Sequence, residues 1–263
     1  MNKKHNRKVA LFLIPGFLGV LVFFLVPLCI CLYFSFGAGS AFGNYDKVLQ
    51  SQAFRLAVRN TLQLIVFGLP VILTGGVLLA IAQWKLLKQG LSGSRTLFSL
   101  YLLPIVLPSA LVVFFIRMLF PYDTSPEVVW LMVSLYIWKN IPYALLAAFL
   151  GLRNLPENIQ DAARVDGVNG WQMLRYITFP FLKPYILVGA VLALLGVFRI
   201  FRESYLLFGN YPDQSVYYLQ NYMNNLFYAS NYGQLAAASE LFLVGISALL
   251  LAALYFLGKE TQR

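Results

Sequence analysis

The chain has 263 residues, 60% of them hydrophobic and 11% charged, with a formal charge of +10. A soluble core of this size has no use for so many uninterrupted apolar runs, so lipid is the solvent for most of the surface. Nucleic-acid binding is not implied by the positive charge, because the Lys and Arg residues stand in short segments between apolar runs, where they orient a membrane protein.

No Walker-type phosphate loop and no zinc-spacing cluster occurs, and the single histidine, His5, lies in the polar amino-terminal tail. Whatever energy drives this protein therefore comes from a partner or a gradient. Met1 to Lys8 resembles the basic region of a signal peptide, but the following apolar run is too long and lacks a small-residue cleavage site, so it reads as a retained first helix. That first span runs roughly from Val9 to Phe34, with Pro15 and Pro27 kinking or ending it. Cys29 and Cys31 fall inside it, two apart and on different helix faces, as packing residues rather than a disulfide.

A polar stretch, Gly37 to Arg59, precedes a second span over about Leu62–Ile81 with Pro70 inside. After the basic loop carrying Lys85, Lys88 and Arg95 comes a third span, about Thr96–Phe120, with Pro104 and Pro108 one turn apart, then a short acidic turn from Pro121 to Glu127. The fourth span is about Val128–Leu150. The interval from Gly151 to Thr178 reads as two short amphipathic helices around a glycine bend. Pro180 and Pro184 lead into a fifth span, about Tyr185–Phe208, and a loop rich in Tyr and Asn, Gly209 to Tyr232, precedes the sixth, about Leu235–Leu257.

The expected fold is thus all-α and polytopic, with six transmembrane helices. Lys3, Lys4, Arg7, Lys8, Lys85, Lys88, Arg95, Arg153, Arg164, Arg175, Lys183, Lys259 and Arg263 share one side, against Lys47, Arg55 and Arg59 on the other. The positive-inside rule then puts both termini in the cytoplasm. Tyr217, Tyr218, Tyr222 and Tyr228 fall outside, as an interfacial aromatic girdle or as a surface for an external partner or a sugar.

The interval between spans four and five is the most informative. Ala162 and Ala163 leave room for another chain to approach, Gly167 allows a left-handed turn, and Asn169 can cap a second helix whose Trp171, Leu174 and Ile177 form an apolar face. The pattern Asp161-Ala162-Ala163, then Gly167, then Ile177-Thr178-Phe179-Pro180 resembles the cytoplasmic coupling-loop motif of binding-protein-dependent ABC importer permeases. Asp166 before Gly167, Asn60-Thr61-Leu62, Pro104 with Pro108, and Leu155-Pro156 resemble the carbohydrate-uptake branch, and the likeness extends over the whole chain. Asp161 replaces the more usual glutamate, and Phe179 the usual leucine.

The resemblance implies a type I ABC importer permease in a bacterial cytoplasmic (inner) membrane, residues 1–263 forming one permease domain and residues 151–180 its coupling loop. Asp161, Ala162, Ala163, Asp166 and Gly167 would seat on an ATPase. The implied partners are a second homologous permease, two nucleotide-binding subunits that hold the ATP and Mg, and an extracellular or periplasmic solute-binding protein. The chain itself would bind no cofactor or metal and would not be an enzyme. Its cargo would be a saccharide.

Charges inside spans cost about 3 kcal/mol or more if they face lipid alone. Lys139, Arg199, Arg202, Glu203 and Glu240, with Arg117 near the end of span three, should therefore point into the bundle. They are either structural ion pairs or, with Trp138, Asn140 and Tyr205, a polar pathway suited to sugar hydroxyls. The excess of positive groups makes an acidic, uronate-containing oligosaccharide a specific expectation. Pro142 frees a carbonyl beside Lys139 and Asn140, and Gly189 and Gly196 suit close helix contact. The alternatives are an importer permease for a polyol or glycerol phosphate, an ion-coupled secondary transporter, and a membrane scaffold.

Overall fold

The computed structural model describes residues 14–37, 42–119 and 125–261. The polar head Met1–Lys8, the first residues of span one, the start of the acidic turn and the last two residues lie outside them. Every regular element described is helical. That is the only open-chain solution in lipid, where each backbone N–H and C=O must be satisfied within its own segment.

Helix α1 (Ile14–Ser35) carries a π-helical turn at Leu21–Leu25. It is followed by α2 (Gly43–Gln50), α3 (Gln52–Lys88), α4 (Ser94–Tyr101), the single turn α5 (Leu103–Val106), α6 (Ser109–Leu119) and α7 (Ser125–Asn154). Then come α8 (Glu157–Val165), α9 (Gly170–Phe208), α10 (Leu219–Tyr228) and α11 (Tyr232–Thr261). Five of these, α1, α3, α7, α9 and α11, are long and apolar enough to cross a bilayer among the described residues.

The expected third span is not one helix. Leu107 precedes Pro108 and is pushed to an extended conformation (φ −69°, ψ 124°), because the proline ring disfavours the helical region for its neighbour. The segment therefore splits into α4, α5 and α6, and the 11 residues of α6 rise only about 16 Å, short of a bilayer core. Other boundaries also move. The end of the expected polar stretch, from Gln52, belongs to α3, and Glu127 lies in the first turn of α7 rather than in a loop.

The chain divides into two compact units. One comprises the described residues up to Arg55 together with Met223–Ser247, and the other Leu56–Tyr222 with the described residues from Ala248. In the first, Asn44 Nδ2 donates to the Ser35 carbonyl (3.2 Å) and Tyr45 Oη to Ser35 Oγ (2.8 Å), which fixes the turn between α1 and α2. Ala236, Ala237 and Ala238 of α11 are buried there with Val48.

The second unit is built around α7, which packs between α3 and α9 through small residues. A Cβ on Gly76 of α3 would come within 2.5 Å of the Ala144 Cβ, and one on Gly189 of α9 within 3.1 Å of the Ala144 Cα. Lipid supplies no hydrophobic drive between helices, so this close backbone approach is what makes their dispersion contacts count. Leu64, Ile72, Met132, Tyr136, Ala193 and Val197 fill the core at one level, and Ala80, Leu145, Ala148 and Leu182 at another. The Tyr136 hydroxyl, wholly buried, donates to the Ala193 carbonyl (2.9 Å).

Candidate functional site: a cationic cavity and a capped helical elbow

The break in the third predicted span opens onto a cavity of about 240 Å³, lined by Pro104 to Ser109, Lys139, Asn140, Tyr143, Gly196, Arg199, Ile200 and Arg202. Non-helical backbone at membrane depth is tolerated where it faces protein or a hydrated cavity, and here Leu107 is such backbone. Lys139, midway along α7, pairs with Glu203 of α9 and also donates to Ser109 Oγ (3.2 Å). Glu203 is 1% exposed, and its second carboxylate oxygen, Oε2, has no hydrogen-bond partner among the described residues.

Arg199 is held differently. Its guanidinium lies over the Tyr143 ring (4.4 Å to the centroid), donates to Tyr143 Oη (3.1 Å) and Asn140 Oδ1 (3.1 Å), and reaches the Leu192 carbonyl (3.3 Å). All these acceptors are neutral. Asn140 Nδ2 meanwhile donates to the Tyr136 carbonyl (2.8 Å), so the amide is held from both ends. A Cβ on Gly196 would fall 1.9 Å from Asn140 Oδ1, so only glycine there lets this amide sit against α9. Arg202 is exposed at the cavity wall and has no ion-pair or hydrogen-bond partner among the described residues. With Lys139 neutralised by Glu203, the two arginines leave the cavity net cationic.

Five of the residues expected in a polar pathway thus come together: Lys139, Asn140, Arg199, Arg202 and, behind Lys139, Glu203. Trp138 and Tyr205 are not among the lining residues. Trp138 is exposed on another face of α7, and Tyr205 sits against Phe201. Glu240 belongs to the first unit, where it is buried and its carboxylate meets the Cys31 thiol. The aromatic platform is instead Tyr143, which the sequence reading missed. Its signal was helical spacing, three residues after Asn140 and four after Lys139. Ser109 was missed too, although it opens the helix after Pro108. Arg117 of α6 donates to the Leu206 and Leu207 carbonyls (2.7 and 2.9 Å), completing the last turn of α9.

At the other functional segment, α8 ends in a Schellman motif. The Val168 N–H donates to the Ala163 carbonyl (3.0 Å) and the Gly167 N–H to the Arg164 carbonyl (3.1 Å), with Gly167 at φ +77°. Nothing lies within 4 Å of a Cβ built on Gly167, so the glycine is required by backbone conformation alone. Two residues later Asn169 forms a capping box with Gln172, and α9 begins. A π turn at Met173–Thr178 precedes Pro180, whose ring would crowd the Tyr176 carbonyl in a regular α-turn. Ala163 is buried, while Asp161, Ala162 and Asp166 are exposed, Asp161 pairing with Arg164 (3.1 Å). Val165 and Trp171 expose their apolar side chains, 87% and 67%.

Residues 72–259 match the family model described as binding-protein-dependent transport system inner membrane component. This protein belongs to that family.

Among curated relatives, the arabinooligosaccharides transport system permease protein AraP of Bacillus subtilis is 32% identical over 78% of this chain and 74% of its own length. The trehalose transport system permease protein SugA of Mycobacterium tuberculosis is 28% identical over 76% of this chain and 68% of that one. A solved structure of a bacterial ABC transporter involved in the import of the acidic polysaccharide alginate has a chain of the same fold. Its TM-score is 0.81, with 20% identity over 97% of this chain and 96% of that one. The permease is a multi-pass inner-membrane protein of a transport system, as the sequence reading expected.

Proposed function

We propose that this permease is one half of the membrane channel of an ATP-driven importer, and that its cargo is a saccharide, with an acidic, uronate-bearing oligosaccharide favoured. The observation that carries the proposal is the cavity beside the broken helix. It offers amide, hydroxyl and guanidinium groups with an aromatic face, the set that sugar hydroxyls require, and among the described residues its two arginines have only neutral partners or none. The cargo named for AraP and SugA, and the acidic cargo named for the structural neighbour, are in keeping with that set.

On this reading the whole chain is a single six-pass permease domain of the type I build with both termini cytoplasmic. The segment α4–α6 forms the third passage and residues 151–180 the coupling loop. Asp161, Ala162, Ala163, Asp166 and Gly167 seat on one of two nucleotide-binding subunits that hold ATP and Mg. A second permease completes the channel, and a solute-binding protein delivers cargo from outside. Because α8 is stopped by the Gly167 turn and α9 runs from Gly170 to the cavity wall at Arg199 and Arg202, movement of the elbow is carried to the cargo site by one continuous helix.

A cationic cavity also fits a phosphate ester, which keeps a glycerol phosphate importer as the second reading. The test is ATP hydrolysis by the reconstituted complex with its binding protein, offered neutral oligosaccharides, uronic-acid oligosaccharides and glycerol phosphate, for the wild type and for Gly167→Pro. Stimulation by uronates, abolished by the substitution with assembly intact, is the expected result. Stimulation by glycerol phosphate alone selects the second reading, and full stimulation of Gly167→Pro removes the loop from the coupling path.

A further inference from the structure

The aromatic surface of the cavity is already taken by one of the cavity's own side chains. The Arg199 guanidinium lies 4.4 Å from the centroid of the half-buried Tyr143 ring, and both residues line the cavity. A pyranose that stacks on an aromatic ring lays its apolar C–H face over the same spot, so guanidinium and sugar compete for one position. The cavity volume, about 240 Å³, falls below the roughly 300–1,000 Å³ of pockets that hold a ligand, as expected where a side chain of the protein fills part of the site.

What holds Arg199 over the ring is neutral: Tyr143 Oη (3.1 Å), Asn140 Oδ1 (3.1 Å) and the Leu192 carbonyl (3.3 Å). The neighbouring carboxylate, Glu203, is committed to Lys139. Hydrogen bonds from a guanidinium to a carboxylate are about twice as strong as those to neutral acceptors, and the planar fork engages both oxygens at once. A carboxylate on the cargo is therefore a better partner than any Arg199 has now, whereas a neutral sugar offers only hydroxyls, the kind of acceptor it already holds. Once the guanidinium leaves, Asn140 Oδ1 and Tyr143 Oη are free to accept from sugar hydroxyls. Arg202 lies three positions further along the same face of α9, exposed at the cavity wall and stacked on no ring among the described residues.

We propose that Arg199 is a charge-gated plug: it covers the Tyr143 platform in the cargo-free cavity and uncovers it only for a sugar whose carboxylate draws the guanidinium off the ring. The inference rests on the saccharide-importer reading above and makes Arg199 the residue that selects acidic over neutral sugars.

The probes are a uronic-acid disaccharide and the neutral disaccharide of the same linkage. Each is offered directly to the assembled importer in nanodiscs without its binding protein, so that delivery does not choose the cargo, and binding is read by saturation-transfer NMR. The wild type should take the uronate and not the neutral sugar. Arg199→Ala should weaken uronate binding by about tenfold, the scale of one lost charge-assisted hydrogen bond, and should gain binding of the neutral sugar. Arg199→Gln, which keeps a donor for Asn140, should show the same gain. Arg202→Ala removes an equal charge from the same helix face but uncovers no ring, so it should weaken uronate binding with no gain. Tyr143→Leu added to Arg199→Ala should abolish the gained binding. Absence of a gain in both Arg199 variants overturns the plug alone, as does a gain shared by Arg202→Ala, a gain that survives loss of the ring, or a wild type that binds the two sugars equally. A wild-type complex that binds neither disaccharide overturns the saccharide reading and this inference with it.

Discussion

Replacing Lys139 by methionine tests whether the pair it makes with Glu203 is a structural element of the cavity wall. Methionine retains most of the side-chain volume, so packing changes little, but the Glu203 carboxylate loses its only charged partner among the described residues. That carboxylate is 1% exposed and one of its oxygens already has no hydrogen bond among the described residues, so the ammonium can be replaced only by water entering from the cavity that Lys139 lines, where Glu203 itself is not exposed. Unpairing a buried charge of this kind costs about 3–5 kcal/mol, whereas removing both charges is close to neutral because the desolvation of each is recovered. Unfolding of the purified permease in bicelles by SDS titration should therefore show Lys139→Met destabilised by about 3–5 kcal/mol. Lys139→Met with Glu203→Gln should return to within about 1 kcal/mol of wild type. A single variant as stable as wild type, or a double variant worse than either single one, would refute the assignment of a buried, mutually dependent pair.

Gly196→Ala should displace Asn140, since the new Cβ would lie 1.9 Å from its Oδ1. The overpacking costs about 1–3 kcal/mol and releases Arg199 from one acceptor, and combining it with Asn140→Ala should recover stability in the same titration without recovering transport. Gly167→Ala meets no atom but must hold φ +77°, at about 1–2 kcal/mol, so the α8 stop should loosen and cargo-stimulated ATP hydrolysis fall severalfold. Gly167→Asn, which tolerates the left-handed region, should retain more activity, and equal activity of the two variants would show that the turn is not held in that conformation. Arg117→Met should leave the Leu206 and Leu207 carbonyls unpaired at the end of α9 and lower stability by about 1–3 kcal/mol in the SDS titration.

The spans were legible because lipid allows so few backbone solutions that twenty apolar residues in a row nearly dictate a helix. Pro104 and Pro108 were equally visible, but the sequence reading kept them inside one span. What it could not weigh is that the extended Leu107 is stable only because a cavity lies beside it, a property of α7 and α9 rather than of the segment itself. Helix α10 escaped for a related reason. Its Tyr- and Asn-rich composition reads as loop although Leu219, Tyr222, Met223, Leu226 and Phe227 recur at helical spacing, and Thr61, which caps it, comes from α3. Tyr218 and Tyr222, expected at an interface or docking surface, are each 5% exposed, and burial pushes the Tyr218 phenol above the ordinary tyrosine range. A tyrosine's two faces, apolar ring and polar hydroxyl, make its burial undecidable without the neighbours.

The charges show where pattern reading reaches and where it stops. Adjacent residues on a helix point apart, so Arg202 and Glu203 could be assigned different surroundings from spacing alone, and one is exposed at the cavity while the other is buried beneath it. That Glu203 pairs with Lys139 and not with an arginine depends on the axial register of α7 against α9, which Gly189 against Ala144 and Gly196 against Asn140 set by contact. Those same two glycines make the register intolerant of added atoms. Helix α9 is therefore locked, at the depth of the cavity, to the helix that bears Lys139, Asn140 and Tyr143. A displacement of α9 along its axis cannot be absorbed by sliding past α7. It must carry α7 with it or break the Arg199–Asn140 contact, so, on the importer function proposed above, coupled movement of the two walls is the route by which this cavity would change access without unpairing its buried charges.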